Sequence, residues 1–160
     1  MNEDDYCDHP SRVHAIPGSA EALAELHRKG WLNILITNQS GIGRGYFTTE
    51  AYESVNVELK HQLAQTIDAA YFCPDHPAIP TPRRKPGTGM VEEAIRDHAI
   101  DPKKSWFVGD KNIDIACGRA VGCRTILVLT GYGEKYRDCG ADFIARDATE
   151  AIRLILTNDQ

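Results

Sequence analysis

Ser105-Trp106-Phe107-Val108-Gly109-Asp110 is the stretch whose reading decides the fold: a short apolar run that stops at an acid. That is the profile of a buried strand whose C-terminal end opens onto polar chemistry. Leu32-Asn33-Ile34-Leu35-Ile36-Thr37 repeats it earlier in the chain, ending at Thr37-Asn38. Working outward, Ala69-Ala70-Tyr71-Phe72-Cys73, Arg124-Thr125-Ile126-Leu127-Val128-Leu129-Thr130 and Ala141-Asp142-Phe143-Ile144 complete a set of five strands. Between them lie helical patterns. Pro17-Gly18-Ser19 opens the first, with Ser19 as N-cap, Leu23 and Leu26 inward and Gly30 as the stop. Tyr52, Val55, Leu59, Leu63 and Ile67 recur at helical spacing over 49–67. Further helices are expected over 88–98 and 112–121. The last opens at Asp147, an N-cap with Glu150 three residues on. Strands alternating with helices predict a single α/β domain over 1–160, with a doubly wound parallel sheet. Ligands of such sheets sit off the carboxyl ends of the strands, here Thr37, Asn38, Cys73, Asp110 and Thr130.

Composition narrows the function classes. The chain has 160 residues, 42% apolar and 26% charged, with a formal net charge of −5. That balance argues against a general nucleic-acid binder, which would carry a basic face. A few local cations can still hold a phosphorylated small molecule. No stretch approaches the ~20 apolar residues of a membrane span. Met1-Asn2-Glu3-Asp4-Asp5 is acidic where a secretory signal is basic, then apolar. Five cysteines, odd in number and without Cys-x-x-Cys spacing, read as reduced thiols of a cytoplasmic protein.

Three clusters bear chemistry. Thr37-Asn38, followed by Gln39-Ser40-Gly41-Ile42-Gly43-Arg44-Gly45, offers a hydroxyl, an amide and loop N–H groups to phosphate oxygens, or is simply a strand-ending turn. Arg84-Lys85-Pro86 follows a proline-rich loop: Lys85 can neutralise a phosphoryl group and Arg84 can fork onto a second anion, unless both are solvated surface. In Gly109-Asp110-Lys111-Asn112-Ile113-Asp114, Asp110 suits Mg²⁺ held by few carboxylates and waters, and Asp114 can brace Lys111 or a metal-bound water. The bland alternative makes Asp110 a helix cap. The six histidines have no ligand spacing, no Gly-x-Ser-x-Gly is present, and Gly41-x-Gly43-x-Gly45 is not the dinucleotide fingerprint.

In order, Thr37-Asn38, Arg84-Lys85-Pro86, Gly109-Asp110-Lys111 with Asp114, and Thr130-Gly131-Tyr132-Gly133 resemble the haloacid dehalogenase (HAD) superfamily over about residues 2–155. The likeness is to its heptose-bisphosphate phosphatase and histidinol-phosphatase branch. The resemblance implies a Mg²⁺-dependent phosphomonoesterase acting on a small phosphorylated sugar or polyol, as a monomer or weak dimer without nucleic-acid or membrane partners. It further implies a two-step phosphoryl transfer, in which a first aspartate attacks phosphorus to give an aspartyl-phosphate. A second, two residues on, protonates the leaving oxygen and then activates the water that releases phosphate. Carried over residue by residue, Thr37 and Asn38 would bind the phosphoryl group and Lys85 would neutralise it. Asp110 would ligate Mg²⁺ with Asp114 in support, and Arg84 and Lys111 would contact substrate or brace the acids. Thr37, Lys85 and Asp110 are expected to converge on one pocket.

Two departures shape the expectation. The family's Asp-x-Asp-Gly occurs nowhere in the sequence; by register it would fall about two residues before Met1, on a first, central strand. Asp4, Asp5 and Asp8 have no apolar strand before them to replace it. The chain alone is therefore expected to be inactive, with a non-catalytic phosphate- or partner-binding domain as the alternative and a flavodoxin-like module behind that. Secondly, relatives often carry a Cys-x-His and Cys-x-Cys zinc set, whose positions here read Cys73, Asp75, Thr81 and Arg83. No zinc is expected, and Pro74, Pro77, Pro80 and Pro82 would stiffen that loop. No insertion is long enough for a large cap, so an open site is expected.

Overall fold

Residues 6–158 of the computed structural model are described here; Asp4 and Asp5, and the acidic start as a whole, lie outside them. The chain divides into two compact units, with the boundary in sequence between Thr81 and Pro82.

In the first unit, β1 (Ile34–Asn38) pairs in parallel with β2 (Ala69–Cys73), Ile34 opposite Ala69 and Asn38 opposite Cys73. Helix α1 (Ser19–Arg28) precedes them. Ser19 is its first residue rather than its cap: Gly18 takes the cap position at φ +80, and the Ser19 hydroxyl donates to Ile16 O at 2.6 Å. Strand β1 starts two residues later than the apolar run suggests. Leu32 is 47% exposed, whereas Asn33 is buried and its amide donates to Leu23 O (3.3 Å) and Thr66 O (2.9 Å). A buried amide with two partners holds where a leucine would leave two carbonyls unmet.

The glycine-rich stretch after β1 contains a single helical turn, α2 (Ser40–Gly43). Helix α3 (Thr49–Gln62) is capped by the Thr48 hydroxyl, which accepts from Ala51 N. It ends before Ile67 because Ala64 and Gln65 take φ of 52 and 58. Its Tyr52 lies against Phe72 of β2, ring centres 4.6 Å apart. Gln62 clamps the N-terminal stretch onto α3, accepting from Ala15 N and donating to Val13 O, both at 2.9 Å.

In the second unit, β3 (Trp106–Gly109), β4 (Arg124–Val128) and β5 (Phe143–Ala145) form a parallel sheet in that order. Helices α5 (Asn112–Ala120) and α6 (Ala148–Asn158) pack on it, and α4 (Gly89–His98) contributes buried Met90, Val91 and Ala94. Asp147 caps α6, accepting from Glu150 N at 2.9 Å, as the capping pattern predicts. The α/β class and parallel strands agree with the sequence reading; among the described residues the five strands divide between two sheets, one per unit.

Two carboxylates lock these units internally. Burial opposes ionisation of Asp68, but the Asn33 N–H (2.7 Å) and His27 (2.8 Å) hold its carboxyl below the ordinary value of 3.8. Asp142 is lowered chiefly by the Thr125 hydroxyl and also by the Thr125 N–H, both donating to it at 2.7 Å. Depressed folded-state values contribute stability that is complete above the unfolded value and is lost as pH falls through the folded one. Urea midpoints should therefore stay level from pH 7 down to about 4 and fall below that. In Asp68→Asn/Asp142→Asn the starting midpoint should be lower and the acid-side fall shallower; an unchanged acid limb would contradict the assignment.

Candidate functional site

The catalytic-looking cluster of the second unit is built where β3 gives way to α5. Gly109 ends β3 and must lack a side chain, because a Cβ there would overlap Asp114 of the incoming helix. That closeness lets the Asp114 carboxylate accept from Lys111 N at 3.0 Å, closing the N-terminus of α5. Its other oxygen meets Lys85 Nζ at 2.6 Å, and both side chains are almost wholly buried (11% and 6% exposed). Lys85 is delivered by a tight segment: Gly87 N donates to Arg84 O at 2.7 Å and Gly89 N to Pro82 O at 2.9 Å. Arg83 forms an ion pair with Glu93 at 2.9 Å. Arg84 keeps one guanidinium nitrogen, Nη1, buried without a hydrogen-bond partner among the described residues. An orphan cationic donor of that kind is costly unless an anion meets it.

Asp110 follows Gly109 and is not the helix cap, since that position belongs to Lys111. Its Oδ2 accepts from Tyr132 N at 3.1 Å, in the loop after β4. Lys111 Nζ lies 4.0 Å from the centre of the Tyr132 ring. Beneath the cluster, Cys117 is buried and donates to Gly87 O at 3.4 Å. Burial pushes its thiol up to about 11, so it stays protonated and serves as core rather than nucleophile.

The second unit thus brings Lys85, Asp110, Lys111 and Asp114 together, with Arg84 adjoining. Thr37 and Asn38 lie in the first unit at the end of β1, where Gln39 Nε2 donates to Thr37 Oγ1 at 3.0 Å. Cys73, at the end of β2, is buried with its thiol directed at Asp75 Oδ2, 3.5 Å away. Gly131 and Tyr132 enter the site with no role there assigned from the sequence; their signal is Thr130-Gly131-Tyr132-Gly133 after the strand end, which carries part of the family resemblance.

Mg²⁺ takes oxygen ligands and is commonly held by one or two carboxylates, waters and substrate oxygens. Asp110 fits that role. Its Oδ1 has no hydrogen-bond partner among the described residues, and a carboxylate with one oxygen anchored is a pre-set ligand. Asp114 fits only indirectly, since both of its oxygens are already engaged.

A lysine–aspartate pair beside a strand-end carboxylate off a parallel sheet is an arrangement suited to phosphoryl chemistry. Residues 82–151, which hold all of it, match the model of the HAD-hydrolase-like family. The chain is 39% identical to the D-glycero-D-manno-heptose-1,7-bisphosphate 7-phosphatase of Chlorobaculum tepidum, over 82% of this chain and 76% of the relative. With its counterpart from Thermosynechococcus vestitus the identity is 37%, over 91% and 85%. The crystal structure of the D,D-heptose 1,7-bisphosphate phosphatase of B. bronchiseptica, complexed with magnesium and phosphate, superposes with a TM-score of 0.89 at 30% identity, covering 98% of this chain and 92% of that one. The chain belongs to the haloacid dehalogenase-like phosphatases, in the family of these heptose-bisphosphate phosphatase relatives.

Proposed function

We propose that this protein is a Mg²⁺-dependent phosphomonoesterase whose substrate is a small sugar bisphosphate, heptose 1,7-bisphosphate above all. The observation that carries the reading is the buried Lys85–Asp114 pair beside Asp110, within the segment shared with phosphatase relatives. In this reading Lys85, held in place by Asp114, neutralises the transferring phosphoryl group; Thr37 and Asn38 are the phosphate-binding residues that the family resemblance suggests. The unmet Nη1 of Arg84 supports binding of a second anionic group, as a bisphosphate would supply. Mg²⁺, when bound, supplies charge compensation on phosphoryl oxygens, and Asp110 is the residue that would hold it. Lys111 orders the approach beside Asp110. The protein is taken to act in the cytoplasm as a monomer or weak dimer on a small solute, in keeping with a net charge of −5. Among the described residues no helix is long and apolar enough to cross a membrane.

Because the sequence holds no Asp-x-Asp-Gly, turnover on this reading needs an aspartate pair from outside these 160 residues. The test is phosphate release, with Mg²⁺, by the chain as it stands and by the chain extended at its N-terminus with a strand carrying Asp-x-Asp-Gly. Heptose 1,7-bisphosphate, histidinol phosphate and a panel of sugar and polyol phosphates are the substrates. The extended protein should turn over, fastest on the heptose bisphosphate, and the shorter one should not. A folded extended protein that binds phosphate yet is inert on every ester would favour a non-catalytic phosphate-binding domain instead.

A further inference from the structure

The loop after β4 meets Asp110 in a way that metal ligation by Asp110 alone does not require. Gly131 sits there with φ +61, a conformation that side chains resist. A Cβ added at this glycine would overlap Asp110 Oδ2. The next residue, Tyr132, donates its N–H to that same oxygen at 3.1 Å, and its half-exposed ring sits under Lys111 Nζ at 4.0 Å. One glycine and one amide therefore fix one oxygen of Asp110. The aromatic face lies against the neighbouring Lys111 ammonium and gives that charge a contact other than the Asp110 carboxylate.

We propose that Gly131 and Tyr132 are positioning residues that hold the Asp110 carboxylate in one orientation for a divalent cation. This rests on the phosphatase reading for the cation's identity, but not for the contact itself. The glycine is needed twice, for its backbone angle and for the space it leaves. Only the second need is specific to Asp110, and the two can be separated. Gly122 also has positive φ, at +89, with nothing within 4 Å of where a Cβ would lie. Gly122→Ala therefore carries the backbone strain without any clash and serves as the matched control.

The experiment has two readouts on the 160-residue protein, both by NMR. The first uses no metal: the Tyr132 amide should exchange with solvent at least tenfold more slowly in wild type than in Asp110→Ala. Equal rates would overturn the proposal whatever the protein's activity. The second titrates Mn²⁺ alone and follows paramagnetic broadening of the amides of residues 110, 111 and 132. Wild type and Gly122→Ala should broaden at the same Mn²⁺ concentration, and Gly131→Ala should need at least ten times more while keeping a native circular dichroism spectrum. Tyr132→Ala, which keeps the amide but frees Lys111, should fall between them. Broadening of Gly131→Ala at the wild-type concentration would sink the positioning role and leave the metal reading standing. Absence of broadening near Asp110 in wild type at millimolar Mn²⁺ would instead sink the metal reading, and with it any role of the loop in serving a cation.

Discussion

Lys85→Met is expected to destabilise the protein by about 3–5 kcal/mol, the usual result of leaving one member of a buried ion pair without its partner. The Lys85 and Asp114 side chains are 11% and 6% exposed and 2.6 Å apart, so little water can take the lysine's place. Asp114 would keep the hydrogen bond from Lys111 N, and that single neutral donor cannot compensate a desolvated carboxylate. The loss should reach beyond the pair, because Asp114 also fills the space left by Gly109 at the start of α5.

Urea denaturation of a double-mutant cycle tests the cause. Asp114→Asn preserves volume and an acceptor for Lys111 N but removes the charge. Lys85→Met/Asp114→Asn should then be less destabilised than the sum of the single variants, by an interaction energy on the order of 1–3 kcal/mol. Strict additivity would mean that the two residues stabilise the fold independently. Phosphate binding gives the functional half of the result. It should be lost in Lys85→Met and stay lost in the stability-recovered double variant, because an uncharged side chain cannot neutralise a phosphoryl group.

Much of this was legible in the sequence because the signals were local. Ala69–Cys73 is the strand that its composition implies, bounded by Asp68 and Pro74. Asp147 caps α6 where the spacing of Asp147 and Glu150 places it. The misreadings arise where local chemistry is outvoted. Leu32 looks like the start of β1, yet the buried partners of Asn33 lie far away at Leu23 and Thr66, which no pattern within the strand encodes. Leu63 and Ile67 continue the period of α3 past its end, because hydrophobic spacing is blind to the left-handed turn at Ala64 and Gln65. Ser19 has the chemistry of a cap, but Gly18 takes the positive φ that entry to the helix requires. In the site, the residue types were readable and the pairings only in part. Asp114 was expected to brace Lys111 or a metal-bound water; it caps the Lys111 amide and holds Lys85, a contact between segments separated by α4 and β3. The grip of Tyr132 on Asp110 is equally non-local, spanning 22 residues of sequence.

Asp110→Asn should lower phosphate release from the Asp-x-Asp-Gly-extended protein by on the order of a thousandfold while leaving its stability nearly unchanged. The separation of the two effects follows from the one hydrogen bond that the Asp110 carboxylate makes among the described residues. Tyr132 N needs an acceptor at Oδ2, and an asparagine oxygen supplies one in the same place. The amide therefore stays satisfied, α5 keeps its cap at Lys111, and the urea midpoint should hold. What disappears is a full negative charge and an oxygen suited to a hard cation, replaced by an NH₂ that repels one. Charge compensation at a transferring phosphoryl group contributes several kcal/mol, and each 1.4 kcal/mol or so is a factor of ten in rate. Asp110→Glu separates charge from placement. It keeps the carboxylate but overreaches the Tyr132 amide by a methylene, so it should retain Mg²⁺ dependence at a raised half-saturating concentration. Turnover of Asp110→Asn within tenfold of wild type, at any Mg²⁺ concentration, would remove Asp110 from the metal site and leave Lys85 to carry the phosphoryl charge alone.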